Sequence, residues 1–391
     1  MQILFKTALF NLGFRPFFLG SAVFAVISMT FWMFAYSFQQ MPLIAGISLF
    51  QWHAHEMIYG FAVAVVAGFL LTAVKNWTGV QTLHGLNLLG LWILWMLPRI
   101  VLLFGTPGIG VAAFFDLLFM LGLIAAIVYP IVKVKQWWQL GIVTILVLLL
   151  VANSCFYLGA IGIIDQGARL GIYSGLFLII GMILVIGRRV IPFFIEAGVG
   201  YPVKLVNYQW LDQLIIAFYV VFLIAELGVS DRWMIALSAM GLGIANSVRL
   251  VGWYTHGVWK KPLLWSLFVS FIFINLGFFL TALNAIFALP NIVAIHAFSI
   301  GGIGVITLSM MARVILGHTG RNIQEPPKAV TVFLMLMIIA TVFRVVFPLI
   351  MMDYYVVWIV LSQILWIAAF LMFIVTYAPM LVKPRVDGQF G

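Results

Sequence analysis

The chain has 391 residues, of which 65% are hydrophobic and only 8% are charged. Together with a mean hydropathy of +1.21, this composition excludes an ordinary soluble domain and is typical of a chain built from membrane spans. The formal net charge of +10 does not indicate nucleic-acid binding, because the basic residues lie singly or in pairs between apolar runs. The sole cysteine, Cys155, lies within such a run, which excludes a disulfide and a CxxC metal site.

Twelve apolar runs predict an all-α, polytopic membrane helix bundle, with residues 1–391 forming a single integral membrane domain. Each run has roughly 20 residues or more, enough to cross a hydrocarbon core of about 30 Å. We number these runs span one to span twelve in chain order. They cover residues 17–38, 53–74, 84–104, 109–132, 138–161, 168–187, 208–228, 232–252, 262–288, 291–316, 328–350 and 354–382.

The basic residues lie almost entirely on one side of the predicted bundle. Fourteen of them fall in segments on the side of the N-terminus, and only Arg169 and Arg232 fall on the other side. The positive-inside rule therefore predicts that both termini are cytoplasmic. The fourteen are Lys6, Arg15, Lys75, Lys133, Lys135, Arg188, Arg189, Lys204, Lys260, Lys261, Arg321, Lys328, Lys383 and Arg385.

Four further arginines lie within or near the ends of predicted spans. Their side chains either snorkel to the membrane interface or pair with a buried anion, and the sequence leaves both interpretations open. The four are Arg99, Arg249, Arg313 and Arg344.

A weak internal repeat links span two with span ten. Each begins with a His-Ala pair, His53-Ala54 and His296-Ala297, and each closes on a Thr-Gly pair, Thr78-Gly79 and Thr319-Gly320. An offset of eight spans favours three four-helix repeats over two inverted halves of six. Chance similarity between glycine-rich membrane helices is the competing explanation.

Histidines in these two spans are the strongest functional signal. An ionisable side chain is costly inside a bilayer and is usually functional there. His53, His55 and Glu56 open span two. His296 lies near the outer end of span ten, and His318 lies just past its inner end. Histidine and carboxylate side chains are ligands for haem iron and for redox metals.

The predicted topology divides the histidines by depth. His296 and His318 are roughly 33 Å apart along one helix, so a single metal cannot bind both. The outer set is His53, His55 and His296, and the inner set is His84, His256 and His318. We expect a b-type haem in the outer half of the membrane, because membrane cytochromes hold such a haem between histidines of two helices.

The expected haem ligands are His296 and one of His53 or His55. In a regular α-helix His53 and Glu56 share a face while His55 points about 200° away, so the two histidines are expected to serve different centres. Glu56 then acts as a ligand, a proton carrier or a partner of a ligand.

A second, inner centre is expected at His318. There Arg313 or Arg321 would pair an anionic group such as a haem propionate.

Each of these interpretations has a purely structural alternative. His84 and His256 lie at loop edges and suit ordinary solvated histidines. His296 could bond a helix carbonyl, and His318 could cap a helix C-terminus. Gly60 and Gly68 in span two, and the glycines of the run 301–304 in span ten, fit either close helix packing or bare faces for a planar ring.

With these residues in view, the chain resembles the NnrS family. The similarity extends over nearly the whole chain and is carried by short motifs rather than by one segment. The motifs are Gly13-Phe14-Arg15-Pro16-Phe17-Phe18, Trp52-His53-Ala54-His55-Glu56-Met57, Ala67-Gly68-Phe69-Leu70-Leu71-Thr72-Ala73, Asn76-Trp77-Thr78-Gly79, Ile191-Pro192-Phe193-Phe194, Pro262-Leu263-Leu264-Trp265, His296-Ala297-Phe298, Met310-Met311-Ala312-Arg313 and Leu316-Gly317-His318-Thr319-Gly320-Arg321.

The resemblance implies a bacterial inner-membrane protein that contains haem and copper and protects against nitric oxide and nitrosative stress. Nitric oxide or a related small molecule would be its partner. The resemblance does not decide whether the protein is an NO-directed oxidoreductase, a binder or a sensor. One departure is Phe268, near which we expect the family to carry a histidine. The resemblance therefore does not imply a complete copper site here.

Two other functional classes compete with this interpretation. Twelve spans with the intramembrane carboxylates Asp116, Asp212 and Glu226 suit a proton-coupled transporter. A haem- or metal-handling carrier without redox chemistry would hold its metal weakly and exchangeably. The sequence leaves the electron donor and the oligomeric state open.

Overall fold

The computed structural model describes residues 7–39 and 46–391 and contains only helices and connecting loops within them. Twelve helices in this part of the chain are long and apolar enough to cross a membrane, which confirms the all-α membrane architecture. They are Phe14–Ser37, Leu49–Thr78, Gly85–Phe104, Pro107–Lys133, Trp137–Ala160, Gly167–Gly198, Gln209–Val229, Arg232–Gly252, Pro262–Phe287, Asn291–His318, Ala329–Ile350 and Met352–Val382.

Span six is the predicted helix that the structure extends most. The sequence places its end at residue 187, just before the pair Arg188-Arg189, yet the helix continues to Gly198. Ile191 and Ile195 are almost fully buried in that extension. Burial of these apolar side chains stabilises the part of the helix that follows Arg188 and Arg189. The basic pair therefore does not mark a helix end.

The chain forms two compact units, each assembled from separate segments. The first contains residues up to Ile179, together with Met311–Pro327 and Phe370–Gly391. The second contains Ile180–Met310 and Lys328–Ala369. That residues 1–391 form a single integral membrane domain stays a prediction.

In the first unit, Arg15 ties the start of span one to the end of span twelve. Its side chain is fully buried, and its Nη1 atom donates to the carbonyls of Met380, Leu381 and Lys383 at 3.2, 2.6 and 2.9 Å. The last carbonyls of a helix have no partner within the helix, so a guanidinium is well suited to bind them. Arg15 is therefore a structural clamp, besides contributing to the charge asymmetry that predicts topology.

Span two and span ten share an unusual construction. Span two consists of α-helix Leu49–His55, π-helix Glu56–Ala62 and α-helix Val63–Thr78. Span ten consists of α-helix Asn291–His296, π-helix Ala297–Gly304 and α-helix Val305–His318. A π-helical turn inside an α-helix is rare and is frequent at functional sites. In each span, the wide turns begin directly after a histidine.

The local structure changes the register of the predicted repeat. The sequence pairs His53 with His296, whereas the helix breaks pair His55 with His296. With this register the Thr78-Gly79 and Thr319-Gly320 pairs also coincide. Gly79 and Gly320 both have a left-handed backbone, with φ of 70° and 75°. Glycine is favoured there because it carries no Cβ atom.

The second unit packs tightly around span nine. Ser266 of span nine and Ser309 of span ten share a hydrogen bond of 2.7 Å. A Cβ atom on Gly277 would collide with the ring of Phe298, and one on Gly301 would collide with Phe273. These glycines permit close helix approach, as the structural alternative predicted.

Candidate functional site

A cluster of ionisable and polar side chains lies buried within the first unit. Its members are His55, Glu56, Arg99, Asp116 and Asn153, with exposed fractions of 0%, 1%, 6%, 1% and 0%. They come from spans two to five, each otherwise apolar. Buried charges are costly unless they are paired, so the contacts within this cluster decide its chemistry.

Arg99 lies between the two carboxylates. Its Nε atom is 2.9 Å from Oε2 of Glu56, and its Nη2 atom is 2.9 Å from Oδ2 of Asp116. These are ion pairs by distance, without the alignment of a good hydrogen bond. One guanidinium therefore faces two carboxylates at the same distance, which leaves one negative charge to be balanced by another group.

His55 connects the same two carboxylates on another side. Its Nδ1 atom lies 2.9 Å from Oε1 of Glu56, and its Nε2 atom lies 2.9 Å from Oδ1 of Asn153. The Nδ2 atom of Asn153 donates to Oδ2 of Asp116 at 3.0 Å, and Tyr157 donates to the same oxygen at 3.0 Å. Each polar residue in the cluster thus holds its neighbour in place.

These contacts determine where hydrogen atoms must lie. Because Asn153 donates its amide hydrogen to Asp116, its Oδ1 atom faces His55 and needs an N–H there. Nε2 of His55 therefore carries a hydrogen. The remaining contact, between Nδ1 and Oε1 of Glu56, is a hydrogen bond only if one more proton lies in it. With that proton, two positive charges balance two negative charges.

Local helix geometry makes the cluster possible. His55 ends the first α-helical segment of span two, and Glu56 begins the π-helix. Gly60, within the same π-helix, lies against the cluster. A Cβ atom on it would collide with Phe24 and with Oε2 of Glu56, and it would crowd Arg99. Glycine at this position therefore leaves room for the Glu56–Arg99 pair.

An aromatic layer separates the cluster from its surroundings. Phe156 stacks on the His55 ring at 4.1 Å between centroids, and Tyr59 and Tyr157 lie at 5.0 and 5.2 Å. Tyr59 donates to the carbonyl of Gly171 at 2.7 Å. Such a layer lowers the local dielectric and strengthens the charge interactions inside it.

The structure differs from the predicted pairing of Glu56 with His53, while the roles of His53 and His55 as ligands stay a prediction. The sequence pattern places Glu56 on the same helix face as His53, yet Glu56 bonds to His55. The backbone at His55 and Glu56 is α-helical, so contact between these two adjacent side chains, and not a change of helix periodicity, decides the pairing. His53 instead stacks on Trp32, with ring centroids 4.3 Å apart and planes within 10°.

His296 lies in the second unit, where its Nδ1 atom is 2.7 Å from the carbonyl of Ile292. This is the helix-carbonyl contact that the structural alternative predicted. Because a carbonyl only accepts, Nδ1 carries the hydrogen and Nε2 carries the lone pair. Ligating histidines commonly have this arrangement, so the contact also suits a metal ligand. The pairing of His296 with His53 or His55 stays a prediction.

Two of the inner histidines meet the C-terminal segment in the first unit. The Phe390 ring lies edge-on to His84 at 6.5 Å, and Arg385 donates to the His318 carbonyl at 3.2 Å. Nε2 of His318 also lies 3.4 Å from the side-chain nitrogen of Asn76. The third inner histidine, His256, belongs to the second unit, in the short helix His256–Lys260.

The surroundings of His318 are rich in positive charge. Arg385, Lys75 and Arg15 all interact with it electrostatically. Arg385 forms an ion pair with the exposed Asp387, which lowers the pKa of that carboxyl to about 2. These cations would attract an anionic group. They are not Arg313 or Arg321, the residues that the sequence indicated for that role.

The two arginines that were expected to pair an anionic group at the inner centre lie in span ten and just past its end. Arg321 donates to the carbonyl of Thr319 at 3.4 Å. Arg313 is buried within span ten. The inner centre at His318 stays a prediction.

Several of the predicted site residues are already engaged in ways that bear on haem and copper binding. Both nitrogens of His55 are engaged and Phe156 covers its ring, so His55 does not fit a haem ligand. Phe17 and Phe18 pack against Gly68, so this glycine presents no bare face to a planar ring. Among residues 7–39 and 46–391, no group of three His, Cys, Asp or Glu side chains is arranged to hold a metal ion.

Sequence reasoning singles out four of the five cluster members, all except Asn153, without assembling them. Arg99 was considered with the snorkelling arginines, and Asp116 with the carboxylates of a transporter. Asn153 and Tyr157 were missed. The available signal was weak but present, because each is a polar side chain near the middle of an apolar run. Only the tertiary structure brings four spans together around His55.

Comparison with known protein families gives one finding. The model of the NnrS protein family matches residues 8–385, nearly the whole chain. The chain belongs to the NnrS family. No curated protein matches it in sequence. The family match confirms the resemblance, and it fits a multi-pass membrane protein associated with the response to nitric oxide.

Removing Arg99 is expected to destabilise the protein more than removing an exposed arginine. In Arg99→Leu, Glu56 and Asp116 lose their shared cation, and breaking a buried ion pair costs about 3–5 kcal/mol. Unfolding of the detergent-solubilised protein, followed by circular dichroism, measures the loss. The double variant Arg99→Leu/Glu56→Gln removes one charge of each sign and should recover part of it. Arg169→Leu, at an exposed position, is the control; equal losses in both single variants would contradict the expectation.

Proposed function

We propose that this NnrS-family protein protects bacteria against nitric oxide and uses the His55 cluster as a buried proton-binding site. The observation that carries the proposal is the contact between Nδ1 of His55 and Oε1 of Glu56, at 2.9 Å. Since Nε2 of His55 must donate to Asn153, this contact requires a proton of its own. A proton held between a histidine and a carboxylate inside a membrane span is a recognised element of proton relays.

The charges of the cluster support reversible proton binding. With one proton in the His55–Glu56 contact, the cluster is neutral as a whole. Without it, the cluster carries a net negative charge in a buried environment, which is costly. Arg99 moderates that cost because it faces both carboxylates. The balance of charges therefore favours one proton in the His55–Glu56 contact.

The reduction of nitric oxide would consume such a proton. Reductive conversion of two NO molecules into N₂O and water consumes two electrons and two protons. Glu56 and His55 would supply protons to such a reaction, which corresponds to the proton-carrier role that the sequence allowed for Glu56. Whether the protein turns NO over, binds it or senses it is a separate question from the proton site itself.

We also propose His296 as the haem ligand. Its support is the Nδ1 contact with the Ile292 carbonyl, the orienting contact that ligating histidines commonly make. His55 is not proposed as a ligand, because both of its nitrogens are engaged. When bound, haem would supply the iron centre for NO chemistry. Copper rests on the family resemblance alone.

A proton-coupled carrier is the alternative function, and the same cluster favours it. Transporters also use buried, protonatable carboxylates near charged partners. The other candidate carboxylate with a described partner is Asp212, which pairs with Arg188 and with Arg249 in the second unit. Two arginines hold that carboxylate, so Asp212 is less suited to proton exchange than Glu56.

The proton-binding proposal predicts the effect of two substitutions. Glu56→Gln and His55→Gln should each abolish a deuterium-sensitive infrared band of the protonated cluster and should reduce the survival of NO-challenged cells. His84→Gln, at an exposed position, is the matched control. Wild-type infrared spectra and survival in both cluster variants would refute the proposal. Loss of the band with full NO protection would instead favour the carrier function.

The haem proposal predicts a loss of cofactor. His296→Ala should lower the haem content of the purified protein severalfold, measured from its Soret absorbance per mole of protein. His55→Ala and His84→Ala should keep the wild-type content. If His55→Ala loses haem while His296→Ala keeps it, the ligand assignment is wrong. A colourless wild-type protein would remove haem from the proposal while leaving the proton site to be tested separately.

We propose further that the protein lies in the bacterial inner membrane with both termini in the cytoplasm. The support is the asymmetry of fourteen basic residues against two. Reporter fusions placed after Gly46 and after Gly391 should report opposite sides of the membrane. Two reporters on the same side would contradict this topology.

A further inference from the structure

The second unit contains an apolar cavity of about 460 Å³, within the ~300–1,000 Å³ range of small-molecule sites. Its lining comes from spans eight and nine and from the loop that joins them. Aromatic side chains dominate its walls, and Ser247 and Asn275 are its polar members. The aromatic residues are Tyr254, Phe268 and Phe279.

Asn275 gives this cavity a specific chemical requirement. The residue is only 4% exposed, and its Nδ2 atom donates to Oγ of Ser247 at 3.3 Å. Ser247 uses its own hydrogen to donate to the carbonyl of Gly243 at 2.7 Å. The Oδ1 atom of Asn275 is buried and accepts no hydrogen bond from the described residues. A buried acceptor without a donor destabilises the protein, so a donor that reaches it would be favoured.

A ligand that enters this cavity and satisfies Oδ1 of Asn275 would combine two properties. It must be apolar and flat enough to lie against aromatic rings within a membrane protein, and it must donate a hydrogen bond. A lipid acyl chain provides the first property and not the second. A hydroquinone with an apolar tail provides both, because its ring is aromatic and its hydroxyl groups donate.

We propose that this cavity binds a membrane quinol, with a quinol hydroxyl donating to Oδ1 of Asn275. Phe268 and Phe279 would hold the ring, and the tail would extend along the apolar wall that includes Ile272. The oxidised quinone presents carbonyl oxygens, which only accept, so it cannot satisfy Oδ1. The site should therefore prefer the reduced form. This inference does not depend on the His55 cluster.

The experiment measures binding of decyl-ubiquinol and of decyl-ubiquinone to the full-length protein in nanodiscs, under anaerobic conditions. We expect the quinol to bind about tenfold more tightly than the quinone, the ratio expected for one added hydrogen bond. Asn275→Leu should bring the two affinities together. Folding should tolerate this change, because it removes an unsatisfied buried acceptor.

Asn284→Leu is the matched control, since Asn284 lies on the same helix and does not line the cavity. It should keep the tenfold preference. A second variant, Phe268→Trp, fills part of the cavity and should weaken binding of both forms. Equal affinities for quinol and quinone in the wild-type protein would overturn the proposal, and so would an unchanged preference in Asn275→Leu. Retention of phospholipid alone, without quinol binding, would identify the cavity as a lipid groove and also overturn it.

Discussion

The ion pairs between Arg99 and two carboxylates are the constraint on which the first unit depends most. Charges in the interior of a membrane protein are tolerated only when their partners are fixed. Arg99, Glu56 and Asp116 belong to three different spans, so satisfying the arginine determines how those spans approach one another. His55 and Asn153 then complete the hydrogen bonding, and the aromatic layer excludes other partners.

The π-helix of span two is the backbone counterpart of this constraint. His55 and Glu56 are adjacent residues with α-helical backbone angles, so the π-helix does not account for their contact and acts only on the residues that follow. The wider turns begin at Glu56, and Gly60 provides the space that the paired side chains occupy. Span ten has the same order of α-helix, π-helix and α-helix, and its π-helix also begins directly after a histidine, His296. The residue that follows His296 is Ala297, so no carboxylate stands there. The two spans therefore share a scaffold that only span two uses to hold a charge cluster.

The functional proposals divide between the two units. The first unit contains the proton site, while the second contains His296 and the apolar cavity beside Asn275. A protein that reduces a small molecule needs a proton source, a redox centre and an electron donor, and each proposal concerns a different one of these. Each also rests on its own local contacts, so each can fail without the others.

The sequence by itself determined the membrane architecture, because hydrophobic runs long enough to cross a bilayer permit little besides helices. Twelve spans followed from run length, and the family followed from motifs such as Trp52-His53-Ala54-His55-Glu56-Met57. Helix ends were less well determined. Span six passes through Arg188-Arg189 because burial of the residues beyond them outweighs the signal that local charge provides.

Tertiary structure alone decided which polar residues act together. Glu56 was expected to act with His53 because α-helical periodicity places them on one face, whereas in the structure the Glu56 side chain bonds to the adjacent His55. Arg99, Asp116 and Asn153 lie far apart in sequence, so no local pattern could assemble them around His55. A buried charge is stable only when it is paired, so these residues must lie close together in the fold. Which of them pair depends on contacts between helices, and the local sequence does not specify those contacts.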